Sequence, residues 1–412
     1  MANNQNLYQS LKRKYPNFHF LKYEFEVQNN CVFMQFFFQT ENLLFTPKMK
    51  MNVGKYAHYF DKENINGIVF HLGLIELLSY WKATCSPQII IHDYLLNENQ
   101  QSWWKKLYYK GMGEFFYQNE IKCSFNDFVQ FSFTEKAKPY KTLHFKRIEP
   151  SQKVIVPIGG GKDSVVTLEE LRRDCEVVPF IINPRGATLD CAAVAGFKNR
   201  DEVVVLEREI DELLLVCNKQ GFLNGHTPFS AMLAFYTLLV STVTGVRHIA
   251  LSNEASANEA TVPGTDVNHQ YSKSLEFELD FRDYVQQFMG DCAHYYSYLR
   301  NLTELQIAKK FAQYPQYFSV FRSCNAGSKE NKWCCNCPKC LFAYIILAPF
   351  IDKTTLLQIF GENLLNKKEM KHFFNQLVGK EATKPFECVG TIEEVIAALK
   401  MLDNKINRYF NS

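Results

Sequence analysis

The 412-residue chain carries 46 Lys+Arg against 43 Asp+Glu, a net charge of +3, with 13 cysteines, 35 Phe and 21 Tyr. So near-neutral a balance excludes a general nucleic-acid coat or a polybasic membrane anchor, leaving at most a local basic groove, and the length allows two to four domains at roughly 100–200 residues each. The longest apolar runs, such as Leu341 to Phe350, fall short of the roughly 20 residues a membrane span needs, and the start, Met1-Ala-Asn-Asn-Gln-Asn, lacks the pattern of a signal peptide, so a cytoplasmic chain with reduced cysteines is expected.

In chain order, residues 1–148 are rich in Phe, Tyr, Asn and Lys. Strand-like stretches begin at Cys31 and at Gln88, and a helix-like run extends from Gly67 to Trp81. A mixed α/β amino-terminal domain is expected. The polar, proline-bearing segment from Lys136 to Gln152 reads as its boundary. From Val154 short β-branched runs alternate with amphipathic segments. Strands are expected at Val154–Ile158, Val177–Ile182, Val203–Leu206 and His248–Ser252, with helices at Ser164–Arg173 and Phe229–Thr244. That alternation predicts a parallel, doubly wound α/β sheet over 149–280. Residues 281–412 are expected to be mostly helical, with helices near Phe281–Met289, Thr303–Ala312, Cys340–Leu347, Asn366–Leu377 and Thr391–Asn404.

The most informative stretch is Gly159-Gly160-Gly161-Lys162-Asp163-Ser164, directly after a buried strand and opening a helix. Glycines let backbone amides approach phosphate oxygens, and a helix amino terminus favours the anion. It is not a Walker A loop, because Lys162 is followed by Asp rather than Ser or Thr. An Asp in a phosphate cradle would repel the anion unless a divalent metal lies between them, so Mg²⁺ is an expected partner. The pattern resembles the pyrophosphate loop (PP-loop) of the N-type ATP pyrophosphatases, of the adenine nucleotide alpha hydrolase-like fold, whose usual form has Ser where this chain has Gly159. The resemblance implies cleavage of ATP between its α and β phosphates, with AMP passed to a substrate oxygen. It also places Asn183, after the second strand, near the adenosine. Ser252, Asn253 and Glu254 follow a later strand at the same kind of carboxyl end; Glu254 suits Mg²⁺ or a substrate group, or caps the next helix.

Cys324, Cys334, Cys337 and Cys340 have a spacing that a tight knuckle can converge on one tetrahedral ion. A four-cysteine set leaves no open position, which makes structural Zn²⁺ the expectation. Cys335 is then the odd member, turned away. An iron–sulfur cluster takes the same ligands, and reduced, unliganded thiols are the plainer alternative. The spacing is similar to that of 7-cyano-7-deazaguanine synthase, another pyrophosphatase.

The runs from Ser252 to Glu259, from Val267 to Glu278 and from Trp333 to Phe342, with Leu77 to Thr84 and Gly111 to Asn119, together resemble the MurL family of ATP-dependent UDP-N-acetylmuramoyl-L-alanyl-L-glutamate epimerases. The resemblance covers nearly the whole chain. It implies a peptidoglycan-precursor enzyme that converts the terminal L-Glu of UDP-MurNAc-L-Ala-L-Glu to D-Glu, consuming ATP and Mg²⁺ and releasing AMP and pyrophosphate. The α-hydrogen beside a free carboxylate is hardly acidic, whereas adenylation removes that charge and lets a modest base act. His269 and Lys273, four apart and on one face if helical, are candidates for the base, with Glu254 and His226 as others. Each also has a plainer role: leading into a helix, bonding a backbone carbonyl, or pairing a phosphate. Arg185 and Arg322 suit an anionic substrate, or salt bridges at the surface. The amino-terminal domain is expected to help hold the UDP-sugar. Rival readings are another ATP pyrophosphatase, acting on a nucleobase or a tRNA base, and a non-enzymatic zinc-knuckle binding protein. The low charge disfavours tRNA, and the retained Asp163 and Ser164 speak against a non-enzyme.

Overall fold

The computed structural model describes residues 4–58, 60–140, 151–262 and 264–410. The expected boundary at 148/149 lies outside the described residues. Contacts gather the chain into two compact units, each discontinuous in sequence. The first comprises Met1–Ser151, Val204–Ile249 and Asp266–Tyr295, the second Gln152–Val203, Ala250–Thr265 and Tyr296–Ser412.

In the first unit, Asn17–Gln28 and Cys31–Thr40 form an antiparallel hairpin. Its two-residue turn, Asn29-Asn30, has φ of 51° and 58°. Positive φ at both positions matches the right-handed twist of the strands, and Asn tolerates it better than most side chains. Leu43–Phe45 and Lys48–Asn52 both pair antiparallel with Cys31–Thr40. Gln88–Ile91 and Gln130–Phe133 extend the other side in parallel. Met34, Phe36 and Phe38 point inward with alternate residues outward, the period-2 pattern of a sheet with one buried face.

Against that face lies the helix Lys62–Trp81, buried almost all round and so a core helix rather than an amphipathic one. Asp61 caps it by accepting from the amides of Glu63 and Asn64. At Gly73 an added Cβ would lie 2.2 Å from Phe20 Cζ, so glycine permits the close approach of helix to sheet. The helix Phe229–Thr244 packs beside it and ends at Gly245, whose φ of 67° is the left-handed stop that glycine favours.

The strand Val204–Glu209 departs from the parallel run expected of it. It pairs antiparallel with Lys48–Asn52, setting Glu209 opposite Lys48 and Glu207 opposite Lys50. Opposite charges across a strand pair contribute about 0.2–1 kcal/mol each, which favours this register. Arg208 on the same strand reaches the fully buried Glu76 of the core helix with two guanidinium nitrogens, at 2.8 to 3.0 Å.

In the second unit Lys153–Pro157 and Glu176–Ile182 pair in parallel, as the sequence predicts. Strand order in this region runs His294–Ser297, His248–Leu251, Lys153–Pro157, Glu176–Ile182. The helix Lys162–Leu171 follows the first of these strands in sequence and Gly186–Val194 follows the second. The remainder is helical, with Glu304–Phe311, Pro338–Leu347, Lys353–Phe360, Lys371–Leu377 and Ile392–Phe410. The architecture is thus mixed α/β with carboxyl-terminal helices. No helix among the described residues is long and apolar enough to cross a membrane.

Candidate active site

The glycine turn forms a strand-to-helix loop held from both sides. Gly160 has φ +78°, and a Cβ there would stand 2.9 Å from the Ala187 carbonyl carbon. Its own carbonyl accepts the Arg322 amide at 2.7 Å. Gly161 opens the helix without a side-chain cap, and Ser164 Oγ donates to the Gly161 carbonyl at 3.0 Å. Gly159 is exposed, and a Cβ there would meet nothing within 4 Å, so the Ser of the usual pyrophosphatase loop is sterically exchangeable with it. Such a loop is equipped to receive an anion, its glycine amides and helix dipole serving without charged side chains.

Beneath it, buried Lys162 is ion-paired through Nζ with both Asp163 and Glu304. Burial alone would lower the ammonium's pKa, but the Asp163 and Glu304 carboxylates outweigh it and hold Lys162 above its ordinary value. Burial pushes Glu304 up to about 8, against the pull of Lys162 and with Asp163 and Glu254 adding to the rise. Two carboxylates thus pair one ammonium, and Glu254 stands near enough to Glu304 to add to its rise, an excess of negative charge with oxygen donors of the kind Mg²⁺ takes. Asp163 is one-third exposed and is the most accessible of these carboxylates.

Glu254 is buried and does not cap the following turn Ala255–Asn258; it accepts from Ser256 Oγ at 3.3 Å, and its carbonyl accepts from Arg300 Nη1 at 3.1 Å. Asn253 donates to Ser297 Oγ at 3.0 Å, whereas the buried Ser252 Oγ finds no protein partner among the described residues. Asn183 sits in the left-handed region with φ 45°, turning the chain sharply after its strand. Arg185 is exposed and donates to Ser328 Oγ at 2.8 Å. Arg322 is half-buried, and its guanidinium donates to the carbonyls of Phe321 and Ser319, while Nε has no partner among the described residues; burial pulls its pKa below the ordinary value.

A second group stands in the first unit. His226 and His269 both direct Nδ1 at Glu114 Oε2, His226 at 3.4 Å and His269 in a short hydrogen bond. The two ring centroids are 4.7 Å apart. His269 and Lys273 do not share an α-helical face, because the helix begins only at Leu275 and a single 3₁₀ turn, Tyr271–Lys273, precedes it. The helix starts there because Ser274 caps it, accepting from the Phe277 amide. Lys273 Nζ reaches Gln270 Oε1 at 3.5 Å. Glu114 is a partner that spacing does not expose; it lies within the run Gly111 to Asn119, and the only signal for it there was the resemblance of that run.

The four knuckle cysteines converge, their sulfurs all within 4.8 Å of one another. Individual Sγ separations are 3.9 Å for Cys324–Cys337, 3.7 Å for Cys334–Cys340 and 3.4 Å for Cys337–Cys340. A tetrahedron with metal–sulfur bonds of about 2.3 Å has edges of about 3.8 Å, so the set fits one zinc-sized ion. Backbone amides of Gly327, Asn336 and Cys340 donate to these sulfurs. Cys337 is pulled down to about 5, first by hydrogen bonding from Cys340, while burial pushes Cys334 up to about 12. Cys335 faces away, with φ 52° and its thiol donating to the Phe360 carbonyl.

Comparison with known proteins agrees along the chain. A model described as the MurL N-terminal domain matches residues 9–298, and one described as the MurL C-terminal domain matches residues 320–410. A UDP-N-acetyl-alpha-D-muramoyl-L-alanyl-L-glutamate epimerase of Xanthomonas oryzae pv. oryzae is 36% identical over 343 residues, covering 81% of this chain and 74% of the relative. Proteins of the same name from Salinispora tropica and a Micromonospora species are 33% and 32% identical, each over 80% of this chain and 72% and 73% of their own lengths. No solved structure matches. With both family domains matched in order over most of its length, the chain belongs to the MurL family.

Proposed function

We propose that this chain is an ATP-dependent epimerase, cytoplasmic in location, that converts the terminal L-Glu of UDP-MurNAc-L-Ala-L-Glu to D-Glu through an acyl-adenylate, releasing AMP and pyrophosphate. The supporting observation is the glycine loop at Gly159–Ser164 beside the carboxylates of Asp163 and Glu304, in a chain whose relatives are named as that epimerase. The second unit, with its parallel strand pair and loop, is read as the PP-loop nucleotide-binding element. Asn183, Ser252 and Asn253 are assigned to the nucleotide, the Ser252 hydroxyl being buried with no protein partner among the described residues.

Asp163 and Glu254 would hold Mg²⁺, which supplies charge neutralisation at the phosphates. The glycine amides and Ser164 hold and orient the phosphates. The substrate α-carboxylate attacks the α-phosphorus, the bond to the β-phosphate oxygen breaks, and pyrophosphate leaves. The adenylated carbonyl draws electrons from Cα, so proton removal falls within reach of an imidazole, and His269 is assigned that step. Lys273, Arg185 and Arg322 are assigned to the anionic groups of the substrate, and the amino-terminal part of the chain to its UDP-sugar. Hydrolysis of the adenylate after reprotonation makes the inversion irreversible. The cysteine knuckle would hold structural Zn²⁺, because four sulfurs this close suit a single ion better than a cluster, whose ligands sit on separate irons.

The test is to incubate the protein with ATP, Mg²⁺ and UDP-MurNAc-L-Ala-L-Glu, then measure pyrophosphate and the chirality of the recovered glutamate. Substrate-dependent pyrophosphate with D-glutamate is expected, and Asp163→Ala should lower AMP formation on the order of 10²–10³-fold while the fold survives. Absence of substrate-dependent pyrophosphate would sink the reading.

A further inference from the structure

We infer that Glu114 makes His226 and His269 into an acid–base pair, one imidazole neutral and the other protonated, that inverts Cα from two faces; this rests on the epimerase reading above. Both rings turn Nδ1 toward the same carboxylate oxygen. His269 Nδ1–H donates to Glu114 and His226 Nδ1 stands 3.4 Å from the same oxygen, so in both rings Nε2 lies on the side away from the carboxylate and is the atom assigned the proton transfer.

Charge sets the second half of the argument. The three side chains are 12%, 22% and 14% exposed for Glu114, His226 and His269, so their charges are only partly screened. One carboxylate balances one imidazolium. A second imidazolium, with ring centroids 4.7 Å apart, would repel the first without a further counter-charge from Glu114. Shared between the two rings, the single Glu114 charge favours one base and one acid, the complement that inversion at a single carbon needs.

The group is also held in place. Lys82 Nζ donates to the Gly225 carbonyl at 2.8 Å and Asn119 Nδ2 to the Asn224 carbonyl at 3.1 Å, pinning the segment that carries His226. Glu114 lies in the first turn of the helix Gly113–Gln118, whose following residue is that same Asn119. At Gly111 an added Cβ would stand 2.7 Å from Pro228 Cγ, so glycine lets these two segments close together.

In the step itself, the neutral imidazole takes the Cα proton on Nε2. The C–H pair becomes the carbon–carbon π bond of the enolate, and the carbonyl π pair moves to oxygen. The imidazolium then gives its Nε2 proton to the opposite face, re-forming C–H and C=O. The base ends protonated and the acid neutral, and exchange of both Nε2 sites with water restores the starting state. Glu114 touches no reacting atom and is a positioning residue.

The experiment is turnover of the full chain in D₂O with Glu114→Gln, His226→Asn and His269→Asn, reading pyrophosphate, glutamate chirality and deuterium at Cα. Wild-type D-glutamate should carry one deuterium and unreacted L-substrate none. Glu114→Gln should keep substrate-dependent pyrophosphate release within about tenfold, which reports an intact fold and adenylation, while D-glutamate falls by at least about 10²-fold. Of the two histidine variants, the one lacking the acid should wash deuterium into L-glutamate without inversion, and the one lacking the base should do neither. Unimpaired inversion by Glu114→Gln, or by both histidine variants, overturns the inference. So does a metal ion bound by wild type and lost with Glu114→Gln. Failure of the epimerase reading would look different, because wild type would then yield no D-glutamate at all.

Discussion

Lys162, in the first turn of the helix behind the glycine loop, is ion-paired with Glu304, the first residue of the helix Glu304–Phe311, and both are buried. Removing the lysine leaves Glu304 and Asp163 facing each other without a counter-charge, with Glu254 adding to the repulsion. Breaking such a buried pair from one side costs about 3–5 kcal/mol, so Lys162→Met should lose about that much in urea unfolding. A loss below about 1 kcal/mol would show the pair to be solvated.

Glu304→Gln should be milder, because burial pushes the Glu304 carboxyl up to about 8 from 4.5, so the cost of holding its charge in the interior offsets much of what its pairing with Lys162 contributes. Between those two values the folded chain holds a proton that the unfolded chain has released. Stability contributed by this group is therefore complete below 4.5 and falls as pH rises toward about 8. Denaturation of the wild type across that window should show the decline, and Glu304→Gln should flatten it. Parallel curves for the two proteins would refute the assignment.

The loop itself was legible because its chemistry is local: glycines, a buried strand before and a helix after. The helix Phe229–Thr244 was legible to the residue, being a long apolar run closed by Gly245. The strand Val204–Glu209 was not, because its partner is chosen by cross-strand charges at Lys48 and Lys50, far away in sequence. Glu114 was hidden for the same reason. A carboxylate next to two histidines that follow it by more than a hundred positions leaves no periodicity to read. His269 and Lys273 would share a face only within a helix, and the Ser274 cap starts the helix at Leu275, beyond both of them.

Gly160→Ala tests whether the loop needs its left-handed residue. A non-glycine residue at φ +78° costs roughly 1–2 kcal/mol, and the new methyl would meet Ala187 and Thr188 backbone at 2.9 to 3.0 Å. We expect a destabilisation of at least about 1 kcal/mol in urea unfolding together with a raised KM for ATP, since the amides would no longer line the cradle. An unchanged KM would place the nucleotide elsewhere.

Elemental analysis of the purified chain should return one zinc per molecule, and Cys337→Ser should reduce it by removing the thiol most readily ionised. Chelation should lower the unfolding temperature of the wild type and leave an already destabilised Cys337→Ser little changed. Iron, or no metal, would overturn the zinc proposal. Four thiols this close cannot all ionise without a cation to offset their repulsion, so the metal-free knuckle should also become prone to oxidation.

Lys82 offers the most indirect test, because it lies in neither group yet holds the segment of His226 through the Gly225 carbonyl. Burial lowers its ammonium to about 8, with Arg208 adding to the fall and Glu76 opposing it, so near neutral pH it is close to its own titration. Lys82→Met keeps the aliphatic stem and removes the donor, leaving the carbonyl short of a partner at a cost of about 1–3 kcal/mol. The expected signature is kinetic as well as thermodynamic. Inversion should slow more than pyrophosphate release, because His226 loses its anchor whereas the glycine loop belongs to the other unit. Equal slowing of both would mean that Lys82 supports the fold as a whole, and no slowing of either would mean that Asn119 alone holds the segment.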